Sequence, residues 1–174
     1  RMGLVIGTSP GNDLSLQEDK IKGYKHFANK IWNAARFVLT NAEGADLSVK
    51  PTLTARDEEI LTELDTLIKT TTEHIEAFRL HLAAEELYGY FWHTFADIII
   101  EEQKKRLMIG DEGEKAAAQF VLWNILQTSI ALLHPFMPFV TEELWGILRS
   151  AHPEAPAVGA HDLLLVSSWP HKSS

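Results

Sequence analysis

The sequence predicts an all-α protein, an antiparallel bundle of about five helices. Five stretches place apolar residues three and four positions apart, the repeat of an amphipathic helix, and the period-two alternation of strands is almost absent. The connections between these stretches are short, which favours antiparallel neighbours. A chain of 174 residues is long enough for one well-buried core, so we expect one helical domain with tails.

The first predicted helix runs from about residue 16 to Asn41. Ser15 and Glu18 have the spacing of a capping box at its start, and the segment ending in Gly44 stops it. Residues 8–13 carry Pro and Gly and are expected to form a loop, after a stretch that resembles the last turns of an interrupted helix. The apolar stripe of the helix, expected to face the core, consists of Ile21, Tyr24, Ala28, Ile31, Ala35, Val38 and Leu39.

The other four predicted helices cover about residues 54–78, 83–106, 114–133 and 139–148. The first of these begins with a capping signal at Thr54 to Asp57. The next has a stripe of Ala84, Leu87, Phe91, Phe95 and Ile98, with Ile99 at its border and Ile100 on the opposite side. Helix 114–133 is apolar over most of its circumference, which predicts a central position. The tail from residue 150 contains one extended candidate, Leu163 to Val166.

Composition narrows the classes of function. The chain has no cysteine, which excludes disulfides and thiolate metal sites. Its formal charge of -8 argues against a polyanionic partner on a global count, yet five Lys or Arg and no acid lie between Lys20 and Arg36. Such a local basic face can hold a few phosphates. No apolar run reaches the roughly 18 residues of a membrane span, so no membrane partner is expected.

A search for catalytic and metal-binding patterns finds none in the sequence. No histidine follows a glutamate by three residues, His-Glu-x-x-His is absent, and no Gly-rich phosphate loop precedes a helix. Serines occur only in caps, loops and the tail, with no activating base indicated beside them. We therefore expect no catalytic residue, no metal and no cofactor in this chain, and we expect recognition to be its role.

The polar side of the first helix is the candidate recognition surface. Helical geometry groups Lys22, Lys25, His26, Asn29, Asn33 and Arg36 there, with Lys30 at the edge. Phe37 lies about 150° from the apolar stripe, so it is exposed, covered by another element, or a platform for a ligand. Three kinds of RNA-binding group would then occur together: cations that contact phosphate, amides that bond to base edges, and an aromatic ring that stacks on a base. A solvated face, or a protein-docking face with Phe37 as its anchor, remains open on the residues alone.

Four segments resemble valyl-tRNA synthetases, which are class I aminoacyl-tRNA synthetases. Residues 24–39 read YKHFANKIWNAARFVL, similar to the family signature Asn-Lys-Leu-Trp-Asn-Ala-x-Arg-Phe-Val. Residues 133–145 read LHPFMPFVTEELW and residues 91–97 read FWHTFAD, both similar to segments of that family, and Gly11 to Asp13 resembles its Gly-x-Asp. The related isoleucine enzymes usually carry Arg-Asn-Thr near Asn33, which this chain lacks. The family often has aromatics at Ile98 and Ile99, both aliphatic here.

The resemblance implies a fragment of a valine-tRNA ligase, a bundle of the class I anticodon-binding type. Residues 1–13 would end the segment that joins the catalytic core to the bundle, residues 14–150 would form the bundle, and residues 151–174 would be an irregular tail. The implied partners are the anticodon loop of valine tRNA and the catalytic and editing domains of the same chain. ATP would be used by the parent enzyme, in the cytoplasm, and the fragment alone would be inactive. An isoleucine-type domain and a non-catalytic protein-interaction module are the alternatives.

The resemblance also assigns roles to residues. Lys30 and Arg36 would bind phosphate or base edges, Asn33 would orient a base and Phe37 would stack one. Ile100 and Glu101 would close the other side of the site, where a carboxylate can accept a hydrogen bond from the amino group of a cytosine. Weaker contacts, adding affinity without specificity, are expected from Lys22, Lys25, Asn29 and Lys104. Trp32 and Trp92 are expected to belong to the core.

Overall fold

A computed structural model describes residues 1–6, 18–155 and 161–171, with the side chains of all but residues 18–21. Its α-helices are α1 Met2–Val5, α2 Glu18–Ala42, α3 Ala55–Glu76, α4 Leu80–Gly89, α5 Ile100–Ile109, α6 Glu112–Leu133 and α7 Pro138–Ala151. Between α4 and α5 the helix continues unbroken as a π-helix, Tyr90–Ile99, here called the π segment. These described ranges contain no strand, so the all-α prediction is confirmed. The predicted loop at 8–13 and the Ser15 cap lie outside them.

The long helix formed by α4, the π segment and α5 has neighbours in both directions. It runs antiparallel to α3, since Arg56 pairs with Glu102 near one end and Thr70 bonds to Glu86 near the other. It runs parallel to α2, because Lys30 pairs with Asp97 and Phe37 lies beside Lys104, seven residues further along both helices. Helix α3 and the long helix, which are linked by a short turn, are thus antiparallel, as predicted, whereas α2 and the long helix are parallel.

Helix α6 occupies the centre of the bundle, as its apolar circumference predicts. The helix has 22 residues, and an 18-residue window within it has a mean hydropathy of 1.4, which would suffice to cross a membrane by length and composition, but 78% of that window is buried inside the protein. It begins at Glu112, two residues before the predicted start, because Asp111 forms a capping box with Glu114. The apolar surface of α6 is therefore accounted for by packing.

The stretch Leu163–Val166, predicted to be extended, is instead a 3₁₀ turn over Leu164–Val166. The carboxylate of Glu142 in α7 accepts hydrogen bonds from the backbone N–H groups of Leu164 at 2.8 Å and Leu165 at 3.1 Å. Successive N–H groups of a strand point to opposite sides, so one carboxylate can accept both only if the backbone turns. The prediction of an extended segment was therefore wrong.

A buried ion pair joins the start of α3 to the end of α5. The carboxylate of Asp57 is fully buried and accepts hydrogen bonds from both terminal nitrogens of Arg106, at 2.6 and 3.1 Å. The same carboxylate accepts the backbone N–H of Thr54 at 3.0 Å, which completes the predicted capping box of α3. Burial alone would raise the pKa of Asp57, but the hydrogen bonds from Arg106 and Thr54 outweigh it and lower that pKa.

The turn between α3 and α4 holds a phenylalanine in the left-handed region. Phe78 has φ of 57° and is 89% exposed. The N–H of Arg79 donates to the carbonyl of His74 and the N–H of Phe78 to that of Ile75, the hydrogen bonds of a Schellman motif. Glycine is usual at this position because a Cβ is strained there. The sequence pattern predicts the break between these two helices at this place, but it does not identify Phe78 as a residue in a strained conformation.

Replacing Phe78 with glycine is expected to stabilise the protein by about 1 kcal/mol, the usual cost of a side chain in this conformation. Urea unfolding followed by circular dichroism measures the change. Phe78→Ala is the matched control, because alanine keeps the Cβ and should give no such gain. Equal stabilisation by both variants would show that the exposed ring, and not the backbone, is the source.

Candidate nucleic-acid interface

The polar side of α2 is a solvent-exposed face, as the sequence predicts. The N-terminal half of the helix presents basic and amide side chains outward, since the opposite side packs on α6 and the long helix. We call this set the α2 face: Lys22, Lys25, His26, Asn29, Asn33 and Arg36, all exposed. The basic stretch of the sequence is therefore presented to solvent as a surface on one helix.

Lys30 lies at the edge of the α2 face and is held by the π segment. Its ammonium is 2.5 Å from a carboxylate oxygen of Asp97 and 5.5 Å from the centre of the Trp92 ring. The hydrogen bond from Lys30 lowers the pKa of Asp97. Asp97 also lies 3.6 Å from His93. Lys30 can bind a phosphate only by leaving Asp97. The Lys30–Asp97 ion pair is weak because both side chains are partly exposed.

Phe37 occupies the same edge one step further along the helix. It is half-buried against the core, and the ammonium of Lys104 lies 5.7 Å from the centre of its ring. Lys104 is itself 2.5 Å from Glu101. Of the three situations open on the sequence, the structure shows a ring that is partly covered by the core, with the ammonium of Lys104 beside its exposed part.

Ile100 does not belong to the surface: it is 5% exposed and part of the core, which corrects its predicted contact role. The reason is the π segment, whose i→i+5 hydrogen bonds take up about one residue more per turn than an α-helix. Two such turns rotate the rest of the helix by roughly half a turn. Ile99 and Ile100 therefore face the core, whereas Ile98, predicted to be in the stripe, is 49% exposed. Glu101 is exposed, so its predicted contact role stays a prediction that its position allows.

An aromatic cluster fixes the π segment against α2. The fully buried ring of Phe27 lies 4.6 Å from that of Tyr88, and 6.0 Å from those of both Phe91 and Trp92, measured between ring centres. Phe27 is not part of the core stripe that helical spacing predicts. The prediction that Trp92 packs inward is supported, since it is partly buried in this cluster. Trp32, for which the same was predicted, is 41% exposed, and that prediction was wrong.

The side chains described on this surface include several that can bind a ligand. No group of three His, Asp or Glu among them could hold a metal ion. Cations and amides on α2 face solvent beside a half-buried aromatic, and one carboxylate, Glu101, completes the edge. This arrangement can bind phosphate, accept and donate at base edges, and stack a base.

Comparison with known proteins bears on this surface. Residues 57–174 match a family described as the anticodon-binding domain of tRNA ligase. The chain belongs to this family. The matched range contains the π segment, Glu101 and Lys104. Helix α2 precedes this range in the sequence.

Several similar proteins match most of the length of this chain. The chain is 43% identical over 162 residues to a valine--tRNA ligase of Geobacter sulfurreducens, covering 91% of this chain. It is 41% identical over 170 residues, 98% of the chain, to that of Pseudothermotoga lettingae, and 44% identical over 147 residues, 83% of the chain, to that of Carboxydothermus hydrogenoformans. It spans only 17 to 18% of the length of these relatives.

Proposed function

We propose that this anticodon-binding domain is part of a valine-tRNA ligase and that it recognises the anticodon loop of valine tRNA with the α2 face and the adjoining edge of the long helix. The observation that carries the proposal is the α2 face, where Lys22, Lys25 and Arg36 are exposed and no acid lies between residues 20 and 36, in a protein of net charge -8. A basic face on an acidic body confines a polyanion to one surface and keeps non-specific binding weak.

The contacts suggest a division of roles. Arg36 is exposed and positioned for phosphate or a base edge, and Asn33 beside it can both donate to and accept from a base. Glu101 can accept from the amino group of cytosine, which suits a valine anticodon ending in A-C. Phe37 stacks a base once Lys104 moves off its ring, and the released ammonium then binds phosphate. Lys30 exchanges Asp97 for RNA in the same way.

The parent protein, in this proposal, attaches valine to its tRNA with ATP in the cytoplasm. The catalytic and editing domains belong to the same polypeptide, and the ATP site lies in the catalytic domain. The bundle contributes recognition of the tRNA and no reacting group. This assignment is supported by relatives named valine--tRNA ligase that are about five times longer than this chain.

Arg36→Ala is expected to weaken binding of an RNA hairpin carrying a valine anticodon and to lower the salt dependence of binding by about one phosphate contact. The measurement is fluorescence anisotropy at several salt concentrations.

Glu101→Gln is expected to leave the salt slope unchanged and to reduce the preference for cytosine at the last anticodon position, at a cost of about 1 to 3 kcal/mol.

Glu59→Ala is the matched control, because this exposed carboxylate lies on α3 and is not among the residues proposed to contact RNA. This variant should leave unchanged both the affinity for the RNA hairpin and the dependence of that affinity on salt concentration. Binding that ignores anticodon sequence and falls little with salt would favour the protein-interaction module. Equal or better binding of an isoleucine anticodon would favour the isoleucine type.

A further inference from the structure

Trp32 is an exposed aromatic on the side of α2 that faces away from the long helix. It is 41% exposed, and within the described residues its indole takes part in no ring contact and no hydrogen bond. At about 100° per residue it lies about 140° around the helix from Phe37. Because Lys30 and Phe37 contact the long helix, Trp32 occupies the opposite flank of the exposed surface.

The residues between these two aromatics are polar. Going around the helix from Trp32 one meets Arg36, then Asn33, then Phe37, in steps of about 40 to 60°. Asn29, three residues before Trp32, and Arg36, four after it, are both exposed neighbours on the same surface. The exposed surface of α2 thus has an aromatic on each flank and a guanidinium and an amide between them.

This chemistry fits unpaired RNA better than a protein partner. Single-stranded nucleic acid is bound by aromatic platforms that stack successive bases, with cations and amides for the backbone and base edges. An apolar docking site would instead group apolar side chains, as the cavity of about 440 Å³ between α1, α2 and the start of α7 does with Leu4, Ala28 and Phe139. The neighbours of Trp32 on the exposed side are basic and amide groups, which are complementary to phosphate.

We infer that Trp32 is a second base-stacking residue, which holds an unpaired nucleotide of the anticodon loop on the flank of α2 opposite Phe37. This inference rests on the proposed function, because it assigns a further contact to the same RNA. Phe37 is half-buried against the core with the Lys104 ammonium 5.7 Å from its ring centre, whereas Trp32 is 41% exposed and has no cation over its ring among the described residues. Trp32 is therefore the platform already open in the free protein, and Phe37 is the one that opens on binding.

Trp32→Ala is expected to weaken binding of the valine anticodon hairpin about 5- to 150-fold, the range found when a stacking aromatic is removed. Trp32→Phe should retain most of the affinity, because stacking tolerates a change of ring. Neither change should alter the salt slope, which Arg36→Ala lowers. Phe139→Ala, which removes a 91% exposed ring from α7, is the control and should bind as the unchanged chain does.

Hairpins with one abasic loop nucleotide identify the stacked base. Loss of that base should weaken binding to the unchanged chain and have little further effect on Trp32→Ala, since the two changes remove the same contact. Failure of the unchanged chain to bind the hairpin would contradict the proposed function itself. If the chain binds and Trp32→Ala binds equally well, or Trp32→Phe loses as much as Trp32→Ala, the function stands and the stacking role of Trp32 is overturned.

Discussion

Replacing Asp57 with alanine is expected to lower the free energy of unfolding by about 3 kcal/mol, the lower end of the range for breaking a buried ion pair. The carboxylate is fully buried, and its removal leaves the Arg106 guanidinium without its anionic partner, although Arg106 still donates a hydrogen bond to the side-chain oxygen of Gln103 at 2.9 Å. It also removes the capping box that begins α3. The lower end applies because Arg106 is 19% exposed and can regain some water. Urea unfolding measures the loss.

Glu59→Ala is the matched control for this change. Its carboxylate also pairs with an arginine, Arg56, but at 3.4 Å and with both side chains largely exposed. Exposed pairs contribute about 0 to 1 kcal/mol. If the two variants lost similar stability, the Asp57–Arg106 ion pair would not stabilise the packing of α3 against α5 as strongly as its burial indicates.

The same pair predicts a pH dependence. The pKa of Asp57 is lower in the folded protein than its ordinary value of 3.8, so the folded state favours the ionised form. Its contribution is therefore complete above pH 3.8 and is lost as the pH falls from there through the folded pKa. Asp57→Asn, which cannot ionise, should show a shallower loss of stability over this acid range than the unchanged chain does. Parallel curves would contradict the assignment.

Phe27→Ala is expected to cost about 3 to 5 kcal/mol, the usual cost of removing a fully buried aromatic ring. The cavity would open between α2 and the π segment, where Tyr88, Phe91 and Trp92 surround the ring. For a chain of this size the melting temperature should fall by roughly 10 °C. Thermal unfolding followed by circular dichroism is the measurement.

Trp32→Ala serves as the comparison on the same helix, because that ring is exposed and should cost little stability. A small loss at Phe27, close to that at Trp32, would mean that the cluster closes over the missing ring. Binding of the anticodon hairpin separates the two sites further: Trp32→Ala should bind weakly while staying folded, whereas Phe27→Ala should unfold at lower temperature.

The sequence predicts the helices of this protein well because their signals are local. Apolar residues three and four apart define α3, α6 and α7 within a few residues, and the cap at Thr54 to Asp57 begins α3 as its spacing indicates. Both signals depend on contacts within four residues along the chain. The α2 face was predicted for the same reason, since helical geometry alone decides which side chains share a side.

Side chains at helix borders were harder to predict because their burial depends on the neighbouring helix. The long helix packs on the side of α2 that carries Phe27 and Ala34, so the core stripe is turned toward them and Trp32 faces solvent. A wheel drawn from α2 alone gives no information on where its neighbour lies. Alanines on both sides of the stripe made either orientation compatible with the pattern.

The position of Ile100 depends on a π-helix, which a wheel of 3.6 residues per turn does not represent. A signal was present: Leu87, Phe91, Phe95, Ile99 and Gln103 follow one another at gaps of four, and all are buried. In an α-helix such a series drifts around the axis by about 40° at each step. Apolar gaps of four without an intervening gap of three indicate a wider turn.

The π segment also affects how this protein can differ in length from its relatives. A π turn is an α turn that contains one additional residue, so deleting one residue between Tyr90 and Ile99 would tighten a turn without rotating the helix on either side of it. The same deletion in α3 or α6 would turn every later side chain by about 100° and expose the core. A relative that lacks one residue within this segment would therefore keep the same structure on either side of it. If its sequence were aligned to this chain without a gap there, the wrong residues would be assigned to the RNA surface.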